Sequence, residues 1–187
     1  MSRLLTQGLA TATAASMVVL LGATAATADT ARHGDRRHDV ASEQGAAPRA
    51  ADPDITRVTV RHGAHRLVIR VHARNVTRDT DMGLSKVVTP RGRFHLFSLF
   101  DDPVTVIQPA GPPREVRCPG LRTRRNVARD TVLVSVPRRC LGSPRWVRAG
   151  VVLYTPHPDV DHMRVDDGFS DHTRLTHLST SRRLYAA

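Results

Sequence analysis

The sequence predicts an all-β fold: a single β-sandwich, of the jelly-roll or immunoglobulin-like type, with about eight or nine strands and one disulfide. Three observations support this prediction. Apolar residues recur with a period of two in short runs, and Gly, Pro and Asp residues separate the runs. No run has the 3.6-residue period of an amphipathic helix. The only two cysteines, Cys118 and Cys140, bracket one of the apolar runs, so a disulfide between them would staple a strand.

The domain organisation follows from shifts in composition. Residues 1–28 have a positively charged start, an apolar core and a small-residue cleavage site, which indicates a secretory signal peptide. Residues 29–52 contain charges, Gly, Ala and Pro but few large apolar side chains, so we predict a disordered leader. Residues 53–187 then form one β-sandwich domain. We expect a secreted, extracellular protein, because no later stretch approaches the roughly 20 apolar residues of a membrane span.

A hairpin opens the predicted domain. Two alternating runs, 55–61 and 66–74, are joined by the Gly-containing link His62–His65, which is typical of two antiparallel strands. Ile55 falls on the outer face together with the arginines of both runs. The predicted core face comprises Thr56, Val58, Val60, Leu67, Ile69, Val71 and Ala73.

Further strands are predicted wherever short apolar runs follow turn residues. A single helical turn is expected at 137–142, closed by Gly142 and Pro144. The predicted strands are 84–89, 94–100, 104–108, 114–118, 131–136 and 146–155, with a possible last strand at 172–178.

The two cysteines are predicted to form a structural disulfide. Disulfides persist outside the reducing cytosol, and a lone cysteine pair in an exported chain is more typical of a staple than of a metal or redox site. Closing a loop of roughly 23 residues contributes about 3 kcal/mol to stability. The alternative is a pair of free, buried thiols.

The charge of the chain indicates a basic protein. It contains 28 basic and 17 acidic residues, and Lys86 is the only lysine. Arginine forms bidentate pairs with phosphate and carboxylate, which favours binding to extracellular polyanions such as cell-wall polymers. A GC-rich coding sequence explains the same arginine excess without any binding role. The candidate polyanion-binding residues, on the outer face of the hairpin, are Arg57, Arg61, Arg66, Arg70 and Arg74.

One stretch, residues 157–172, concentrates aspartate and histidine. Carboxylate oxygens are the ligands that Ca²⁺ prefers, but the spacing does not match an EF-hand. A solvated loop that uses Asp for turn chemistry explains the same residues. We therefore expect no cofactor, with Ca²⁺ as the one ion considered. The candidate metal ligands are Asp159, Asp161, Asp166 and Asp167.

Known catalytic motifs are absent from the sequence. It contains no Gly-x-Ser-x-Gly, no His-Glu-x-x-His and no Gly-rich phosphate loop. We therefore predict a secreted, non-catalytic module that binds anionic cell-wall or surface polymers, with no membrane span and no nucleic acid as physiological partner. The alternative is an extracellular hydrolase, or a Ca²⁺-binding carbohydrate-binding domain, that uses the loop 157–172.

Three segments resemble a known group of proteins. They are Asp52–His62, the run 67–76 and the run 136–148, which contains Cys140-Leu-Gly-Ser-Pro144. These segments are similar to those of uncharacterised secreted actinobacterial β-sandwich proteins with a Cys-Leu-Gly-x-Pro segment. The resemblance implies a β-sandwich, export and a disulfide through Cys140, and it implies no activity.

Overall fold

The protein is all-β, as predicted. The computed structural model describes residues 28–42, 50–78, 80–97, 105–108, 114–156, 163–171, 173 and 177–187. In these residues thirteen strands form two antiparallel sheets, and the other regular elements are two short 3₁₀ turns. None of the described helical turns is long and apolar enough to cross a membrane. The predicted signal peptide lies outside the described residues, apart from its last residue.

The first sheet has five strands and contains the predicted hairpin. The hairpin strands β3 (Asp54–His62) and β4 (Arg66–Arg74) lie next to each other within it, and the run between the cysteines, β10 (Thr131–Pro137), pairs with β4. In spatial order the strands are β1 (Asp29–Gly34), β3 (Asp54–His62), β4 (Arg66–Arg74), β10 (Thr131–Pro137) and β9 (Arg122–Asn126).

The second sheet has eight strands. Its longest strand is β11 (Trp146–Pro156), which pairs with β5 (Asp81–Thr89) and β12 (Met163–Asp167) along its length and with β13 (Leu184–Tyr185) at its start. The strands are β2 (Ala41–Ser42), β12 (Met163–Asp167), β11 (Trp146–Pro156), β5 (Asp81–Thr89), β6 (Gly92–Phe97), β7 (Thr105–Gln108), β8 (Arg114–Val116) and β13 (Leu184–Tyr185).

Both sheets contribute to one hydrophobic core, which consists mainly of Val, Leu and Ile side chains. The inward residues of the hairpin are buried as predicted from Val58 to Ala73. Ile55 is an exception, because the pairing of β3 with β4 shifts between Ile55 and Arg57. This β-bulge reverses the alternation, so Ile55 is fully buried and Thr56 is only half-buried.

The disulfide between Cys118 and Cys140 is present, with Cα atoms 5.4 Å apart. Cys118 follows β8 at the edge of the second sheet, whereas Cys140 lies in the 3₁₀ turn Arg138–Leu141 after β10 of the first sheet. The predicted helical turn is therefore also confirmed, and Gly142 ends it with a φ of 74°. The disulfide joins the two sheets to each other.

Residues 29–42 differ from the predicted disordered leader. β1 pairs with β3 and β2 pairs with β12, so this segment adds an edge strand to each sheet. Ala31 and Val40 are buried. Edge pairing requires main-chain hydrogen bonds but few large side chains, which is why composition alone did not indicate it. The rest of the predicted leader, residues 43–49, lies outside the described residues.

Candidate functional site

The outward residues of the first sheet form three rows that cross its five strands. Residues paired directly across antiparallel strands share one face, so the register assigns each residue to a row. The first row holds Thr30, Arg61, Val68, Ser135 and Arg122; the second holds Arg32, Thr59, Arg70, Leu133 and Arg124; the third holds Gly34, Arg57, His72, Thr131 and Asn126. We call this surface the arginine face.

Six arginines of the arginine face are exposed, and none makes a hydrogen bond or ion pair within the described part of the chain. The three rows contain no Asp or Glu. Neighbouring strands lie about 4.8 Å apart, so arginines on alternate strands of the second row follow one another at about 10 Å. The six arginines are Arg32, Arg57, Arg61, Arg70, Arg122 and Arg124.

Two of the five predicted arginines have other surroundings. Arg66 is half-buried, and its guanidinium donates hydrogen bonds to Ser135 and to the main-chain oxygen of Gly120. Arg74 lies at the other end of β4 and lines a separate depression together with Asp54 and Asp130. The structure therefore brings Arg57, Arg61 and Arg70 together, and it gives Arg66 a structural role.

A groove runs over β10 in the arginine face. The outward residues Thr131 and Leu133 are shorter than the arginines of the flanking strands β4 and β9, so a depression of about 370 Å³ forms between them. We call this depression the β10 groove. Its floor is Thr131 and Leu133, and its walls are Arg70, His72, Arg124, Asn126 and Arg129.

Arg129 is placed by the 3₁₀ turn Val127–Arg129, which follows β9 directly. The side chain of Asn126 caps this turn: its Oδ1 accepts a hydrogen bond from the main-chain N–H of Arg129 over 3.0 Å. Asp130 then adopts a left-handed conformation with a φ of 49°, which returns the chain into β10. The exposed Arg129 side chain thus leaves the main chain at the end of the β10 groove.

The pKa of His72 reflects both its partial burial and the positive charge of this surface. Partial burial lowers its pKa, and the positive charges of Arg57 and Arg70 lower it further. The neutral imidazole is therefore favoured at neutral pH. An anion placed in the β10 groove would offset the effect of the two arginines.

Only two of the four predicted metal ligands lie in the described part of the chain. Asp159 and Asp161 lie outside the described residues. Asp166 and Asp167 belong to strand β12 and are buried, whereas the sequence suggested an exposed loop. The carboxylate of Asp167 accepts hydrogen bonds from the main-chain N–H groups of Phe169 and Ser179, which gives both of its oxygens a partner.

Sequence reasoning missed four arginines of the arginine face and its groove: Arg122, Arg124, Arg129 and, in the segment predicted to be disordered, Arg32. The first two alternate with Thr123 and Arg125 in β9, and neither of those is a large apolar residue that would predict a strand. The only signal was their spacing of two residues. Pairing with β10 places them beside Ser135 and Leu133.

Comparison with known proteins does not indicate what this surface binds. No family model matches the chain, and no curated protein or solved structure matches it significantly. A function is therefore inferred from the site alone.

Proposed function

We propose that this protein is a secreted, non-catalytic module that binds anionic polymers, with the polymer lying along the β10 groove. One observation carries the proposal: unpaired arginines line both sides of a groove in a face whose three rows contain no acidic side chain. In a chain with 17 acidic residues, an ordinary solvated surface would mix the two signs.

The chemistry of the groove suits a repeating polyanion. A guanidinium presents paired N–H donors to phosphate, sulfate or carboxylate oxygens, and Arg70 and Arg124 would grip the polymer from opposite sides. Leu133 on the floor offers an apolar contact to the uncharged part of each repeat unit. Most of this binding energy is Coulombic, so affinity must fall as salt increases.

The proposal includes an extracellular location and a β-sandwich of the jelly-roll or immunoglobulin-like type. A disulfide that joins two sheets is compatible with an oxidising compartment. Outside the cell the common polyanions are wall polymers and acidic polysaccharides rather than nucleic acid. The resemblance to secreted actinobacterial proteins favours the same setting.

The alternative, a hydrolase or carbohydrate-binding domain built on the loop 157–172, gains no support from the described residues. Asp166 and Asp167 are 0% and 1% exposed, so a substrate has no access to their carboxylates. Sugar-binding domains commonly use an exposed aromatic ring, but the ring of Trp146 is covered by the guanidinium of Arg183, 4.7 Å from its centre. The exposed ring of Tyr185 lies on β13, which pairs with the start of β11, whereas β12 with its two aspartates pairs with the later part of β11.

Matched variants test the proposal. The groove variant combines Arg70→Gln, Arg124→Gln and Arg129→Gln. The control variant combines Arg93→Gln, Arg114→Gln and Arg145→Gln, which are exposed arginines outside the arginine face. Both variants lose the same charge. Affinity for soluble poly(glycerol phosphate) should fall at least about tenfold in the groove variant and less than about threefold in the control. Equal losses would contradict the proposal.

A further inference from the structure

A buried group of carboxylates lies where the N-terminal segment crosses from one sheet to the other. Asp35 and Asp39 belong to the crossing segment between β1 and β2, and Asp166 comes from β12. One carboxylate oxygen of each lies within 4.8 Å of the others. Two chain segments that are distant in sequence therefore converge on one point.

Half of the six carboxylate oxygens in this group have no hydrogen-bond partner, whereas both oxygens of Asp166 accept a hydrogen bond, from Ile55 and Thr173. Both carboxylate oxygens of Asp39 and the Oδ2 of Asp35 are buried without one. Buried polar atoms in folded proteins are nearly always paired, because an unpaired polar atom loses its hydration and gains nothing in return. The group as it stands is therefore incomplete.

Asp54 provides an independent observation. It is only 3% exposed, and its Oδ2 is buried without a partner, while Oδ1 accepts a hydrogen bond from the main-chain N–H of His38 over 2.9 Å. His38 precedes Asp39, and the residue after Asp54, Ile55, donates its main-chain N–H to a carboxylate oxygen of Asp166. Burial and the charge of Asp54 together raise the pKa of both Asp39 and Asp166. A fourth buried carboxylate with an unpartnered oxygen thus lies beside this group.

No basic side chain of the described residues neutralises these four carboxylates by an ion pair, although the chain contains 28 basic residues. Burial and the neighbouring negative charges raise the pKa of Asp35 to about 9 and that of Asp166 to about 8. A multivalent cation would neutralise these carboxylates and satisfy the unpaired oxygens.

We propose that Asp35, Asp39 and Asp166, with Asp54 beside them, bind one Ca²⁺ ion. Ca²⁺ takes six to eight oxygen ligands at about 2.3–2.6 Å, so two of its ligands lie up to about 5 Å apart. The separations within the group fall inside that limit. Mg²⁺, with ligands at about 2.1 Å, would need a tighter arrangement. The ion fastens the crossing segment, and with it β1 and β2, to both sheets.

A second group shares Asp35 and defines the competing outcome. His33, Asp35 and Asp171 also bring one ligand atom each within 4.8 Å of one another. The Nε2 of His33 is buried without a partner, and its ring stacks on Phe169. A nitrogen ligand favours Zn²⁺ or Mn²⁺ over Ca²⁺.

Titration calorimetry and thermal unfolding of the mature protein, first stripped with a chelator, test the site. We expect one Ca²⁺ per chain and a rise in Tm of roughly 5–10 °C when free Ca²⁺ is about 100 times Kd. Asp39→Asn and Asp166→Asn should each abolish the shift, and Asp171→Asn, a matched change at an exposed carboxylate, should retain it. If Asp166→Asn does not fold, Asp39→Asn decides.

Three results would overturn the proposal. The first is the absence of both binding heat and a Tm shift with Ca²⁺ in the wild-type protein. The second is a Ca²⁺ shift that persists in Asp39→Asn, which would move the site elsewhere. The third is binding of Zn²⁺ or Mn²⁺ that His33→Ala abolishes, with no response to Ca²⁺. That result would assign the metal to the second group.

Discussion

Arg66 donates two hydrogen bonds to Ser135, from Nε to the hydroxyl oxygen over 2.6 Å and from Nη2 to the main-chain oxygen over 2.8 Å. A third, from Nη2 to the main-chain oxygen of Gly120, reaches the turn after Cys118 over 2.7 Å. Arg66 therefore fastens β4 to β10 and to the disulfide region. Arg70, four residues further along the same face of β4, makes no such bond within the described residues.

This difference predicts opposite effects for two arginine substitutions in β4. Arg66→Ala should lower the free energy of unfolding by about 1–3 kcal/mol, because it leaves Ser135 and Gly120 without a donor, and should change polymer affinity less than about twofold. Arg70→Ala should leave stability within about 0.5 kcal/mol and should weaken binding. Urea denaturation and binding assays on both variants check this. Equal losses of polymer affinity in the two variants would contradict the assignment of a structural role to Arg66 and a binding role to Arg70.

Binding should strengthen as the pH falls towards the ordinary pKa of histidine. Partial burial and the positive charges of Arg57 and Arg70 lower the pKa of His72 in the free protein, and the negative charge of a polyanion in the groove would raise it again. The complex then holds more protons than the free protein, so affinity increases as pH decreases from about 7.5 to about 5.5. Affinity measured across this range at constant ionic strength, for wild type and His72→Gln, tests the linkage. A pH dependence that survives in His72→Gln would assign it to another group.

Loss of the disulfide should destabilise the protein without changing the groove. The Cys118→Ala, Cys140→Ala double variant should lose about 3 kcal/mol, because the unfolded chain regains the freedom of the closed loop. For a domain of this size that corresponds to a fall in Tm of roughly 6–12 °C. Calorimetry measures the shift, and reductant should have no effect on the variant. A Tm within about 1 °C of wild type would mean that the cross-link contributes little.

Gly168 should tolerate no side chain, because it lies against both sheets. A Cβ at this position would be 2.4 Å from Val58 Cγ2 and 3.3 Å from Val151 Cγ1. Gly168→Ala should therefore cost at least about 1–3 kcal/mol of stability. The control is Gly34→Ala on β1, where a Cβ would meet nothing within 4 Å, with an effect of about 0.5 kcal/mol or less. Chemical denaturation that gave the two variants equal stability would contradict the packing described.

Alternation predicted the fold where strands carry large apolar residues. The hairpin β3–β4, the strand between the cysteines and the start of β11 were all evident from Val, Leu and Ile at a spacing of two. The bulge at Thr56 was not evident, because an extra residue in one strand is a property of the pairing. For the same reason Ile55 was assigned to the wrong face.

The candidate sites were harder to predict because they depend on which strands are neighbours. Arg70 was identified as an outward residue, but the groove beside it exists only because β9 lies on the far side of β10. The carboxylate group joins Asp35 and Asp39, in a segment predicted to be disordered, to Asp166, in a stretch predicted to be a loop. Composition describes local tendencies and contains no information on such convergence.

The salt dependence of polymer binding tests the proposed role of the β10 groove most directly. Affinity of the mature protein for poly(glycerol phosphate) would be measured from about 50 to about 200 mM salt and plotted as log affinity against log salt concentration. The wild type should give a steep negative slope. The groove variant should be shallower by about one unit for each arginine removed, and the control variant should match the wild type. Binding that is insensitive to salt, or equal slopes for all three proteins, would contradict the proposal.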